Sequence, residues 1–320
     1  MSVRIGVVGG LNMDIHLFDV HERGSQAAFQ ARHYLAQPGG KGANQARAAA
    51  VLGAEVLLVG RVGDDEFGND CRESVIADGV DAEHVLATKG ARTGFVAIRL
   101  TDGHHQSLVY VPGANEYLTW SDLQTALPAL ASCDVILVQA EVPTDVLARL
   151  TTWAAEHDVR LFLDPAPPEN VTRAALLAAE AVTPDLQEGT LLVGRTSTSL
   201  LSPVLAVRDL LDAGVRNVFL KLGHAGVLFG HGDELMRIPT LSVEPNDETG
   251  AGDVFIAALA THRAAGAGWR DAARFANAAS ALSVSRPGLA LPRADEVTKA
   301  MADLAPEDEL IEVRHRSSAP

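Results

Sequence analysis

The stretch Asp247-Glu248-Thr249-Gly250-Ala251-Gly252-Asp253 runs directly into the apolar segment 254–265. Two glycines separated by one small residue let the main chain come close to a ligand, and the N–H groups that open a helix have no partner within it. Such a turn is an anion hole suited to a phosphate whose charge is shared among its oxygens. Asp253 falls in the first helical turn, where the positive end of the helix dipole favours its ionised form. A lone G-x-G-D stretch is most simply a capping Asp beside a tight turn. Next to a phosphate cradle, the same carboxylate can take the proton of an attacking hydroxyl.

A second glycine-rich loop, Pro38-Gly39-Gly40-Lys41-Gly42-Ala43-Asn44-Gln45-Ala46, also precedes a helical pattern. Gly42 follows the lysine where a Walker A loop requires Ser or Thr, so that motif is excluded. Asn44, Lys41 and the Gly40 amide offer the mixed donors and acceptors that a hydroxyl-rich small molecule needs. Asn12 and Asp14, at the end of the first expected strand, point to the same edge; alone, they would be a turn-forming pair.

Positioning these groups falls to an alternation of short apolar runs and helical patterns. Runs 3–9, 56–62, 135–138, 160–163, 218–222 and 227–229 are almost continuously apolar, as strands buried on both faces are. Helical patterns cover 42–52, 66–78, 144–157, 203–213, 252–265 and 269–284, and four of them stop at Gly53, Gly79, Gly214 and Gly266. The expected fold is α/β, a mostly parallel sheet with helices on both faces. Two insertions break the rhythm: 16–36, and the pair 95–100 and 107–111 around Asp102-Gly103. They are expected to meet as a small antiparallel β lid, from about 13–38 and 92–113, over the carboxyl edge where open parallel sheets bind ligands. The domain is expected to span 1–305, with 306–320 a loosely held end.

Composition narrows the function. The 320 residues are 47% apolar and 21% charged, enough for a large core and unlike a disordered chain. Twenty-six Lys and Arg against 41 Asp and Glu give a net charge of −15, which argues against nucleic acid as the partner. Cys71 and Cys133 form no C-x-x-C pair, the eleven His show no paired metal spacing, and Gly6-Val7-Val8-Gly9-Gly10 lacks dinucleotide-fold spacing. Residues 1–10 are too short for a signal core, and no apolar run reaches the length of a membrane span. A cytoplasmic protein with no membrane partner is expected.

The two glycine motifs, in this order, resemble the signatures of the ribokinase-like members of the PfkB sugar-kinase family. The first covers 39–46 with Gly63-Asp64-Asp65 downstream, and the second is 247–253. Weaker echoes are Thr93-Gly94, Gly113-Ala114-Asn115, Glu141, Asp164-Pro165-Ala166-Pro167, Thr183-Pro184-Asp185 and Gly223 to Gly226. The resemblance extends from Val3 to about Arg293 and implies ATP-dependent phosphorylation of a sugar's terminal hydroxymethyl oxygen, with D-ribose at O5 the expected substrate. It implies that Asn12, Asp14, Gly40, Lys41, Asn44 and Glu141 hold the sugar and that Asp253 is the base. Gly250, Ala251 and Gly252 would stabilise the transferred phosphoryl group. Asp185, Lys221, Gly223, Gly226 and Asn277 would meet the nucleotide, and Glu188 would lie in the Mg2+ region. Asp247 and Thr249, with Val284, Pro287 and Gly288, would hold a monovalent cation such as K+. The exposed edges of the lid imply a homodimer.

Departures from the family pattern gather on the nucleotide side: Asp185 for the usual Asn, Lys221 for the usual Thr, Pro292 for a cation-ligating Ser, and an unusual Glu248 and segment 189–202. Within the family, a nucleoside, deoxyribose or hexose kinase is the rival reading. From another class comes a sugar-binding regulatory protein with weak catalysis, which would bind sugar tightly without turning over ATP.

Overall fold

The computed structural model describes residues 2–23, 28–101, 104–196, 200–303 and 309–311. A ten-stranded sheet organises the chain. Its parallel part runs, in spatial order, Asn217–Lys221, Ala181–Val182, Leu161–Asp164, Val135–Gln139, Arg4–Val8, Glu55–Gly63 and Val85–Thr88. Three antiparallel strands, Val227–His231, Glu234–Ile238 and Glu309–Leu310, extend one edge. The near-continuous apolar runs read from the sequence are these central strands, and Val135–Gln139 is buried along its whole length.

Two apolar clusters cover the sheet. One packs Ile5, Val7, Leu58 and Phe162 against the helices Lys41–Val51, Ala251–Ala264 and Trp269–Val284. The other packs Val8, Ile136, Val138 and Leu163 against Trp120–Leu130, Thr144–Glu156 and Pro203–Asp212. The four glycines read as helix stops all have positive φ, between 88 and 103°, the left-handed conformation that ends a helix without a Cβ clash.

The lid is a four-stranded sheet in the order His33–Gly39, Asn12–Phe18, Gly94–Thr101, His104–Val111. Its two outer pairings are antiparallel, as expected, while the central pairing of Asn12–Phe18 with Gly94–Thr101 is parallel. The cause is the origin of the arms. Each follows the carboxyl end of a parallel strand of the main sheet, Arg4–Val8 or Val85–Thr88, so both leave it in the same direction. The Asp102-Gly103 turn lies outside the described residues. Asp65 pins the second arm: it accepts from the Thr93 and Gly68 N–H groups, each at 3.0 Å, and so caps the helix Glu66–Ala77 as well.

Several elements escaped the sequence pattern. The helix Trp120–Leu130 contains Pro128 in its last turn, and a Thr119/Asp122 capping box opens it. Residues 309–310, within the end expected to be loose, pair with Glu234–Ile238 and cover an edge strand; 306–308 and 312–320 of that end lie outside the described residues. Among the described residues no helix is long and apolar enough to cross a membrane.

Candidate active site

The carboxyl ends of neighbouring strands deliver the polar groups. Asn12 follows Arg4–Val8, Glu141 follows Val135–Gln139, Asp164 ends Leu161–Asp164 and Lys221 ends Asn217–Lys221. The strand between Glu55 and Gly63 lies on one side of Arg4–Val8 and Val135–Gln139 on the other. Strand order therefore switches here, at the crevice where open α/β sheets take their ligands.

Two helix starts face each other across this crevice. Asn44, in the first turn of Lys41–Val51, donates from Nδ2 to Asp253 Oδ2 at 3.1 Å. Gln45 donates from Nε2 to Asp253 Oδ1 at 3.0 Å and to Asp164 Oδ2 at 3.2 Å. Both oxygens of Asp253 are thus fixed, on a residue only 4% exposed. Burial raises the Asp253 carboxyl above its ordinary value and the nearby Asp164 adds to this, while Lys41 and the two amide hydrogen bonds oppose it. Gly250, with φ 72°, makes the left-handed turn into the helix. The Ala251 N–H turns back to the Glu248 carbonyl at 3.2 Å. Of the expected Gly250 to Gly252 run only Ala251 is engaged: among the described residues, the Gly250, Gly252 and Asp253 N–H groups have no acceptor.

On the sugar side the expected residues converge. Asn115 binds the main chain of Leu11 and the Oδ1 of Asn12, the latter at 2.8 Å. This leaves the Asn12 Nδ2, and likewise the Asn44 Oδ1, buried without a partner. A buried donor and a buried acceptor left open call for a ligand that supplies both functions. Glu141 accepts from the Lys41 N–H at 3.2 Å. Burial, together with Glu141 and Asp253, pushes the Asp14 carboxyl up to about 7. Glu141 is likewise raised to about 7 by burial, against the pull of Lys41.

Lys41 itself departs from the expected sugar contact through its side chain. Its Nζ pairs with Asp164 Oδ2 at 3.2 Å, so only its main-chain N–H turns to the sugar-side carboxylate. Burial works against this ammonium, yet Asp164, Asp253 and Glu141 raise it well above its ordinary value. Lys221 Nζ reaches the other oxygen of Asp164 at 3.5 Å. Burial would raise the Asp164 carboxyl, but Lys221 and Lys41 hold it below its ordinary value.

The nucleotide-side residues are mostly engaged. Asp185 caps the helix Leu186–Leu192 by accepting from the Glu188 N–H at 2.7 Å, and Glu188 Oε2 accepts from the Asp185 N–H at 2.7 Å. One Glu188 oxygen stays off this capping box, and Lys221 lies close enough to oppose the rise that burial imposes on its carboxyl. Asn277 spends its Nδ2 on the Ile238 and Pro239 carbonyls at 2.9 and 3.0 Å. Gly223 and Gly226 bracket a tight turn after Lys221, with φ 57 and 84°.

The residues expected around a monovalent cation do come together. However, the Val284 carbonyl already accepts from the Asn246 and Asp247 N–H groups at 2.7 and 3.1 Å. Asp247 accepts from Thr249 N–H at 2.9 Å and Gly288 N–H at 3.1 Å. Only the Thr249 hydroxyl in this group is a buried side-chain atom without a partner. The two loops are tied to each other through Asp247 and the Val284 carbonyl.

Gln45 and Asp164 are candidate site residues that sequence reasoning passed over, quoted there only inside longer motifs. Their role depends on three elements meeting. Tyr110 is a third: the row Gln37, Asp14, Val96, Tyr110 crosses the lid in register, setting its phenol on the Asp14 face. Strand alternation alone carried that signal. Cys71 lies beneath the site, donating to the Asn12 carbonyl, and burial pushes its thiol up to about 12, away from nucleophilic use.

The pfkB family carbohydrate kinase profile matches residues 4–296. A ribokinase of Bacillus subtilis (strain 168) is 33% identical over 300 residues, covering 93% of this chain and 99% of the relative. The crystal structure of a Thermotoga maritima ribokinase matches with a TM-score of 0.83 at 29% identity, covering 94% of this chain and 100% of that one. Arabidopsis thaliana ribokinase, solved in complex with ribose and ATP, also gives a TM-score of 0.83, at 27% identity and covering 94% and 99% of the two chains.

Proposed function

Because the chain belongs to the pfkB family of carbohydrate kinases, we propose that it is a ribokinase, transferring the terminal phosphoryl group of ATP to O5 of D-ribose. The observation that carries this reading is Asp253, buried with both oxygens fixed by Asn44 and Gln45, beside the open Gly252 and Asp253 N–H groups. Asp253 accepts the hydroxyl proton as the sugar oxygen forms its bond to phosphorus, and the bond to the ADP oxygen breaks with its electron pair. Phosphoryl transfer asks for alignment and charge stabilisation more than for a strong base, so one oriented carboxylate suffices.

The unpartnered Asn12 Nδ2 and Asn44 Oδ1 support a polyhydroxylated substrate, and Asp14 and Glu141 supply acceptors for its remaining hydroxyls. Mg2+, arriving with the nucleotide, would neutralise phosphate charge, and the Glu188 oxygen outside the capping box fits a contact to its water shell. No step is routed through K+. The lid face opposite Asp14 exposes Tyr34 and Val109, at 70 and 60%; an apolar face on a sheet with open edges supports pairing of two copies through their lids.

A coupled ADP assay across D-ribose, 2-deoxyribose, hexoses and nucleosides tests the reading. D-ribose is expected to give the highest kcat/KM. A nucleoside or hexose preferred tenfold over it would replace ribose, and tight pentose binding without ADP release would replace the enzyme by a sugar-binding regulator.

A further inference from the structure

Asp164 is fully buried and is met from two elements: Lys41 Nζ and Gln45 Nε2 bind its Oδ2, each at 3.2 Å, from one helix start, and Lys221 Nζ forms an ion pair with its Oδ1 at 3.5 Å from the end of a strand. Two ammonium groups on one carboxylate exceed what neutralising it requires. The position of the second explains the excess. Lys221 Nζ lies 3.1 Å from the point that a Cβ on Gly252 would occupy, across the first turn of the anion-hole helix. Its side chain is 18% exposed, so the charge is partly withdrawn from water and turned towards the crevice.

We propose that Lys221 is a further catalytic residue, its ammonium moving from Asp164 onto the terminal phosphate of the nucleotide and sharing the transferring group's charge with the Gly252 and Asp253 N–H groups. The inference rests on the kinase reading above. When Lys221 departs, Asp164 keeps a cation, because Lys41 and Gln45 still hold its Oδ2; a carboxylate with a single cation could not release it so cheaply. A mobile ammonium on a four-carbon stem suits this movement, as a rigid guanidinium would not. Placed beside main-chain donors in a partly desolvated crevice, it acts on charge that develops during transfer.

The test compares Lys221→Met and Lys221→Thr with the unaltered protein, each first checked by thermal melting. Expected for both variants is a fall in kcat of about ten- to a hundredfold, the scale of losing one stabilising donor, with the pentose KM held within about threefold. In calorimetry without sugar, ATP binding should weaken at least fivefold more than ADP binding, since only ATP carries the phosphate Lys221 meets. Lys221→Arg should recover part of the ATP affinity and less of kcat. Equal loss of ATP and ADP affinity, unchanged affinity for both, or a kcat above half the unaltered value would overturn the proposal. Failure of the kinase reading is separate: the unaltered protein would then release no ADP with any sugar.

Discussion

On the sugar-facing side of the crevice, Asn12 Nδ2 and Asn44 Oδ1 are buried with no hydrogen bond, and Asp14 and Glu141 crowd together at raised affinity for protons. On the side expected to face the nucleotide, Asn277 Nδ2 and one oxygen each of Asp185 and Glu188 are spent on the protein's own main chain. The first arrangement is costly. Each buried group left open forfeits on the order of 1–3 kcal/mol until a ligand satisfies it, so its side chains are tied to one ligand chemistry. The second leaves recognition to main-chain turns and to Lys221, and tolerates other side chains. The departures from the family pattern, Asp185 and Lys221 among them, fall on that tolerant side.

Asn44→Ala breaks the contrast most severely. It removes the open acceptor and one of the two donors fixing Asp253, and kcat/KM for pentose is expected to fall about a hundredfold. A loss below threefold in steady-state kinetics would make the two sides alike. Gly39→Ala is next, since its Cβ would come within 2.0 Å of Asp14 Oδ2. Pentose affinity should drop about tenfold by calorimetry, in line with one displaced charged acceptor, while ATP affinity holds.

Proton linkage sharpens the same comparison. With Asp14 and Glu141 both raised to about 7, pentose affinity should rise as pH climbs through 7 and both become full acceptors. For the protein without ligand the sign reverses. The folded state keeps protons that the unfolded chain gives up near the ordinary values of 3.8 and 4.5, so these groups make stability fall between those values and about pH 7. Melting temperatures across that range for Asp14→Asn and Glu141→Gln should show a shallower decline than the unaltered protein; an equally steep one would remove the two carboxyls from the account. Asn277→Ala has the smallest effect on turnover: KM for ATP within about twofold, with a stability loss of about 1–3 kcal/mol from two buried hydrogen bonds. A tenfold rise in that KM at unchanged melting temperature would instead give Asn277 a nucleotide contact.

Local signals carried much of this structure. Central strands such as Val135–Gln139 read directly because they are apolar on both faces, and helix stops read from single glycines such as Gly53. The short strand Ala181–Val182 and the edge strand Glu309–Leu310 did not, since two residues make no pattern and their pairing comes from neighbours already in place. In the candidate site, Asn44 and Asp253 stood out through glycine loops suited to a close approach, and Asn12 through its place at the end of a strand. The Gln45–Asp164–Lys221 connection was not, because it joins residues 119 and 57 positions apart in sequence, 164 less 45 and 221 less 164. The direction of the Lys41 side chain, too, depended on a buried carboxylate whose location no spacing reveals.

The whole account turns on Asp253 acting on a bound alcohol, and one sample can test it. With D-ribose and ATP both saturating, phosphoryl transfer by Asp253→Asn should be measured in a single turnover, and pentose affinity by calorimetry on the same preparation. Transfer slowed by about a thousandfold, within the usual range for a lost general base, with pentose affinity changed by less than fivefold, is the result expected. Transfer retained above a tenth of the unaltered rate would contradict the assignment of the base.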